Sequence, residues 1–257
     1  MRRITATLAT AVTVSLAGLL PVLPGLVGTA SPTAAKAPAT ATVHLSTPDA
    51  VLAGLVSPAT GAAFTIGDML NGTPIHWNPC AAIHWQFRAT GAPVGGLTVI
   101  KQAVAQISTA TGIRFAYDGT VSAVPNTAWL PKLSTDARPL LIGWGDSGSS
   151  DLLAGKPAGV LGVTRTAWFG LTRDGVSTAA IKAAVVVLDR TDRLPLTGPV
   201  SWRTVALHEL SHAMGLDHAG SSKQLMYPVL SRTLTGLQSG DLEGLRQVGR
   251  AAGCTNI

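Results

Sequence analysis

Residues 208–218 read HELSHAMGLDH, and the rest of the chain is best understood by working outward from them. His208 and His212 stand four apart. On a helix that spacing puts both imidazoles on one face, a turn apart, where two nitrogens can grip a single cation. Gly215 supplies the positive φ with which a chain leaves a helix and turns back sharply. His218, three residues on, then swings round as a third ligand. Three protein ligands leave a fourth position for water, the arrangement of a catalytic zinc site rather than a structural one. Glu209, beside the first ligand, is placed to take a proton from that water, whose pKa zinc lowers to about 7. Three of the chain's six histidines and one of its two glutamates fall within these eleven residues, which chance does not readily supply.

Around this stretch the pattern is that of an α/β layer. Ser201 can cap a helix running through Met214, with Pro199 just outside it. Residues 97–110 (LTVIKQAVAQISTA) place Leu97, Ile100, Lys101, Val104 and Ile107 along one helical face, ended by Gly112. Ile83 to Phe87 alternates like a strand, and Ile113 to Tyr117 follows as another. Pro139 to Trp144, Val160 to Val163 and Ala184 to Leu188 are short apolar runs suited to buried strands. Ser239 caps a last helix, 240–250, ending near Gly253. Strands and helices in this order predict a twisted sheet layered with helices.

The chain has 257 residues, enough for one catalytic domain after a leader is removed. Residues 1–30 read as that leader. Met1-Arg2-Arg3 is its charged start, Leu8 to Leu20 its apolar stretch and Gly28-Thr29-Ala30 its small-residue cleavage site, so export to the extracellular space by the Sec route is expected. Arg2-Arg3 also leaves twin-arginine export open. A membrane anchor is the rival, opposed by the threonines, Ser15, Pro21 and Pro24 that interrupt the run. No second apolar stretch of membrane length follows. Residues 31–72, rich in Ala, Thr, Pro and Ser, read as a linker or short pro-segment with no periodicity that builds a core. Residues 73–257 are left as the catalytic domain. The net charge of +6 is spread singly over the chain, with no basic run beside aromatics, so nucleic acid is not an expected partner. Cys80 and Cys254 make an even count that favours a disulfide in an oxidising compartment; two buried thiols are the alternative.

HELSHAMGLDH resembles the extended zinc signature of the metzincins, H-E-x-x-H-x-x-G-x-x-H. Gln224-Leu225-Met226-Tyr227-Pro228, eight residues past the third histidine, is similar to the Met-turn of the matrixin branch, and the Cys80/Cys254 arrangement looks like a bacterial secreted branch. The resemblance implies a metzincin fold: a twisted, mostly parallel five-stranded sheet, an active-site helix and a small C-terminal subdomain ending in a helix. It implies one catalytic Zn2+ held by His208, His212 and His218, Glu209 as catalytic base, and Met226 as an apolar floor under the metal. Tyr227 and Pro228 would then wall the pocket for the residue after the scissile bond. Gly159-Val160-Leu161-Gly162 resembles the edge strand on which matrixins lay an extended substrate, backbone to backbone. The implied activity is a secreted zinc metalloendopeptidase that cuts internal peptide bonds in a protein or peptide substrate, working as a monomer.

Two other functions share the motif: a zinc hydrolase of cell-wall peptides, and a non-catalytic binding module that keeps the metal for stability. Intact Glu209 argues against the second. The chain also departs from the vertebrate matrixins. No histidine lies between His84 and His208, so their second, structural zinc is not expected. Asp146, Asp151, Asp174, Asp189 and Asp192 could ligate Ca2+, yet no loop pattern specifies it. Cys80 lies in Asn-Pro-Cys-Ala, unlike the matrixin cysteine switch, and using it as an inhibitory ligand would strand Cys254. His44, His76 and His84 have no metal spacing and read as packing or solvent residues. Tyr227, directly after Met226, does not match an oxyanion-assisting position.

Overall fold

Arg173-Asp174-Gly175-Val176 turns the chain back on itself, with Asp174 and Gly175 at φ 52° and 79°. Positive φ at both central positions is what a two-residue hairpin turn needs, and Asp-Gly meets it cheaply. The computed structural model describes residues 40–46, 49–52, 59–132 and 138–255. The expected leader, its cleavage site and the start of the 31–72 segment lie outside these. The described part belongs to one unit spanning residues 37–257.

In chain order the elements begin with the strands β1 (Thr40–Leu45), β2 (Asp49–Leu52), β3 (Thr65–Ile66), β4 (Met69–Leu70), β5 (Thr73–Pro74) and β6 (Ile83–Arg88). Helix α1 (Gly96–Thr111), β7 (Phe115–Val121) and β8 (Leu140–Gly145) follow, then the hairpin strands β9 (Val160–Arg173) and β10 (Val176–Asp189). The chain closes with α2 (Trp202–Met214), β11 (Leu216–Asp217) and α3 (Ser239–Gln247). The main sheet has the order β1-β9-β10-β8-β6-β7, with β2 also paired to β9. β10, β8, β6 and β7 run parallel and β9 antiparallel to β10, so the expected five-stranded, mostly parallel sheet is present.

Two details extend that expectation. The runs Val160–Val163 and Ala184–Leu188 are opposite ends of one fourteen-residue hairpin, β9 and β10, not separate short strands. The described residues of the 31–72 segment also add β1 and β2 to the outer edge of β9, and β3 pairs with β11. These additions are made mainly through backbone hydrogen bonds. A composition poor in core-forming side chains gives no sign of them.

The centre of the sheet is buried on both faces, which accounts for β8 reading as a continuous apolar run. Leu140, Ile142 and Trp144 face the helices, while Leu141 packs on the other side with Val163, Val185 and Val187. In α1 the buried stripe is Val99, Ile100, Ala103, Val104 and Ile107. Leu97 sits at its margin and Lys101 projects outward, so the apolar face is rotated from the one the spacing predicts. The helix ends where Gly112 takes φ 69°. In the final helix the cap is Gln238, and Ser239 is the first helical residue. Cys80 and Cys254 are joined in a disulfide with Cα atoms 5.5 Å apart, tying the start of the domain to its end. Cys80 is therefore not a metal ligand. Among the described residues, no helix is long and apolar enough to cross a membrane.

Candidate metal centre

Helix α2 is positioned from its first residue. Ser201 and Thr204 form a reciprocal capping box, each side chain taking the other's backbone N–H. Nearly every side chain of the helix is buried, because it runs between the sheet and α1. His208, Glu209 and His212 therefore project into protein rather than water. At Gly215, φ is 110° and the N–H bonds back to His212 and Ser211 carbonyls. A Cβ there would also lie 2.9 Å from the Ile75 carbonyl oxygen. Only glycine meets both demands, and the turn it permits brings His218 back to the helix.

The three imidazoles converge, with their potential ligand atoms all within 4.8 Å of one another. His208 Nδ1 donates to the Leu225 carbonyl at 2.8 Å and His212 Nδ1 to the Leu216 carbonyl at 2.8 Å. A carbonyl only accepts, so each Nδ1 carries its ring's proton and each Nε2 presents a lone pair. Those two Nε2 atoms lie 3.0 Å apart. Protonation would let one donate to the other, but burial pushes the His208 pKa well below its usual value and His212 to about 3, with repulsion among the rings adding to this. Burial also lowers His218, against the pull of Asp217 and of the Ala50 carbonyl. Three neutral imidazoles aimed at one point fit a cation such as zinc, whose structural preference is for nitrogen donors of this kind.

Glu209 lies under the sheet edge. Thr164 Oγ1 donates to Glu209 Oε2 at 2.6 Å and lies 2.9 Å from its backbone carbonyl. A Cβ on Gly162 would come within 2.9 Å of the Glu209 side chain, so the strand passes directly over the carboxylate. Sequence reasoning missed Thr164. Its signal was the two-residue period of a strand, which puts Thr164 on the face of Gly162.

Met226 is fully buried and its carbonyl accepts the N–H of Ala219, next to His218. The turn is fixed from α3. Asp241 accepts the N–H groups of Leu225 at 2.8 Å, Met226 at 3.1 Å and Gln238 at 2.7 Å, while Gln224 Oε1 takes those of Gly240 and Asp241. Asp241 was also missed, because Ser239 drew the capping assignment. Its carboxyl pKa is raised by burial, against the backbone donors that favour the charged form.

The other singled-out residues lie elsewhere. His44 stacks on Trp168, His76 bonds the Trp77 carbonyl, and His84 pairs with Asp118 at 2.8 Å. Asp146 holds Arg190 and Ser149, Asp151 accepts the Thr127 N–H, and Asp189 takes Thr191. The Tyr227 N–H donates to Gln224.

A helix presenting two histidines and a carboxylate, a glycine turn returning a third histidine, and a buried turn at Met226 are consistent with a metzincin fold. The family model described as Matrixin matches residues 182–248, about a quarter of the chain, from the middle of β10 through α2 and the Met226 turn to the end of α3. Among curated proteins, none matches. The matrixin resemblance is thus found independently over the segment holding all three histidines, and it supports a zinc metallopeptidase.

Proposed function

We propose that the protein is a secreted zinc metalloendopeptidase acting on internal bonds of extended peptides, with His208, His212 and His218 holding one zinc ion and Glu209 as general base. The observation that carries this reading is the convergence of three buried imidazoles, with Glu209 next to the first of them on the same helix and held by Thr164 beneath β9. Zinc, when bound, supplies Lewis-acid polarisation of the amide carbonyl and acidification of water. The chain's own residues do the rest. The β9 stretch from Val160 to Thr164, which pairs with Asp49–Leu52 in this structure, is where an extended peptide would add backbone to backbone. Glu209 takes the proton of the attacking water and returns it to the leaving amine. Thr164 holds the carboxylate in the orientation that faces the site. Burial keeps the histidines neutral and the carboxylate's surroundings poor in water, which strengthens its interactions.

Export to an oxidising compartment is part of the proposal, supported by the charged, apolar start of the chain and by the Cys80–Cys254 bridge. The test is hydrolysis of a mixed quenched-peptide library. Activity that chelation abolishes, zinc restores and Glu209→Ala lacks is the expected result. Stoichiometric zinc binding without cleavage of any peptide would overturn the enzymatic reading.

A further inference from the structure

We propose that the cleft beyond the carboxyl ends of β6, β8 and β10, walled by Trp144 and Trp202, is a binding site for a free α-amino acid with an apolar side chain.

Topology fixes the place. The chain leaving β6 passes through α1 to β7 on one side, while the chain leaving β8 goes on to β9 and β10 on the other. Neighbouring parallel strands whose continuations part in this way leave a crevice beyond their carboxyl ends, and open α/β sheets bind ligands there. In this sheet the crevice is a cavity of about 260 Å3. That is below the roughly 300–1,000 Å3 of pockets for drug-sized ligands, so its occupant is smaller. The walls come from just past β6 (Gly91 to Pro93), the end of β8 (Trp144), the chain just past β10 (Arg190, Arg193) and the start of α2 (Trp202). None of His208, Glu209, His212 and His218 lines it, so the cleft is separate from the metal centre and its chemistry.

The polar groups of the cleft define the ligand. Trp144 is fully buried, yet its indole Nε1 has no hydrogen-bond partner. A buried donor left unpaired is costly, and an entering acceptor removes that cost. Arg190 is already engaged, since its Nε donates to Asp146 Oδ2 at 2.6 Å and a terminal nitrogen bonds the same oxygen. Arg193 and Asp192 are different. Among the described residues neither side chain is in an ion pair. Burial and the nearby Asp189 both disfavour the Asp192 anion, which raises its pKa and would be relieved by a cation. One neutral N–H, one guanidinium and one carboxylate together call for a ligand carrying both signs. An α-carboxylate takes the indole N–H and Arg193, and the α-ammonium meets Asp192. A phosphate would be repelled by Asp192, and an uncharged sugar would leave both charges unmatched. The remaining walls, Ala92, Pro93, Leu194 and the indoles of Trp144 and Trp202, are apolar, and they select an apolar side chain. The two indoles meet edge to face with centroids 5.6 Å apart, forming a corner at the first residue of α2.

The experiment uses the full chain, labelled with 15N and kept free of metal so that an amino acid cannot ligate zinc. Trp144→Phe removes the N–H and so assigns the Trp144 indole signal. Leucine should move that signal saturably. Leucinamide, which lacks the carboxylate, and N-acetyl-leucine, which lacks the ammonium, should each bind about tenfold or more weakly, the scale of one hydrogen bond to a charged group. Arg193→Gln changes an exposed side chain and should lose about the same factor while the unliganded protein unfolds at the parent's midpoint. A Trp144 signal unmoved up to the solubility limit of leucine overturns the site. Leucinamide binding as well as leucine, or leucine binding as well to Arg193→Gln, overturns the carboxylate assignment. N-acetyl-leucine binding as well as leucine overturns the role of Asp192 and with it the amino-acid reading.

Discussion

His208 is held by Asp241 although the two side chains do not bond to each other. Asp241 accepts the N–H of Leu225 at 2.8 Å, and the carbonyl of that same Leu225 takes the Nδ1 proton of His208 at 2.8 Å. The C-terminal helix thereby sets the tautomer and the aim of a metal ligand on α2. Second-layer contacts of this kind keep a ligand's lone pair directed at the metal, and their loss typically weakens affinity 10–100-fold.

Asp241→Ala should therefore weaken zinc binding by about 10- to 100-fold. It also strips the partner from three backbone donors, at Leu225, Met226 and Gln238, so stability should fall by about 2–4 kcal/mol. Competitive zinc titration and urea unfolding read the two effects separately. Zinc affinity within twofold of the parent would show that Leu225 holds His208 without help from α3.

Glu209→Gln should separate chemistry from binding. The amide keeps the shape and can still take the Thr164 hydroxyl, while losing the base. Peptide hydrolysis should drop by about 10²–10⁴-fold with zinc affinity changed only a few-fold. Retained hydrolysis would remove Glu209 from the mechanism.

Gly215→Ala tests the turn that delivers His218. The substitution puts a side chain at φ 110° and its Cβ against the Ile75 carbonyl, 2.9 Å away. Strain of that kind costs about 1–3 kcal/mol. Because the turn must shift to relieve it, zinc affinity should fall as well. A variant with lower thermal stability but parent-like zinc binding would show that His218 reaches the metal by another route.

What was legible in the sequence, and what was not, follows from the kind of force involved. The ligand set was readable because helical periodicity and one glycine fix the relation of His208, His212 and His218 over eleven residues. β8 and the ends of β9 and β10 were readable because burial on both faces demands apolar runs. Asp174-Gly175 also carried a hairpin signal, and reading it would have joined β9 to β10. The edge strands β1 and β2 were hidden, since backbone pairing leaves little trace in side-chain pattern. Thr164 and Asp241 act across sequence separations of 45 and 15 to 16 residues, where no local rule couples them to Glu209 or to the turn at Leu225 and Met226.

Reducing the Cys80–Cys254 bond should destabilise the domain by about 2–5 kcal/mol, because the bridge spans 174 residues and restrains nearly the whole domain when unfolded. Neither cysteine is part of the three-histidine cluster. The zinc-loaded protein at low temperature should thus keep its activity after reduction while its unfolding midpoint drops. Loss of activity before any unfolding would place the bridge in the site's own geometry.

Acid should unfold the metal-free protein through its buried imidazoles. Unfolded histidines take up protons below their ordinary pKa of 6.5, whereas burial holds His212 neutral in the fold down to about 3 and depresses His208 as well. Between those limits the unfolded chain binds more protons, so stability must rise with pH and fall as pH drops through 6.5. Each group contributes about 1.4 kcal/mol per pH unit, giving a loss of about 2–4 kcal/mol from pH 7 to pH 5. Zinc steepens the dependence, since it binds only the neutral rings and stabilises only the folded state. Urea midpoints measured at pH 7 and pH 5, with chelator and with excess zinc, test both statements. A chelated protein equally stable at the two values would mean that protons reach these histidines in the folded state, and that the site is open to water rather than buried.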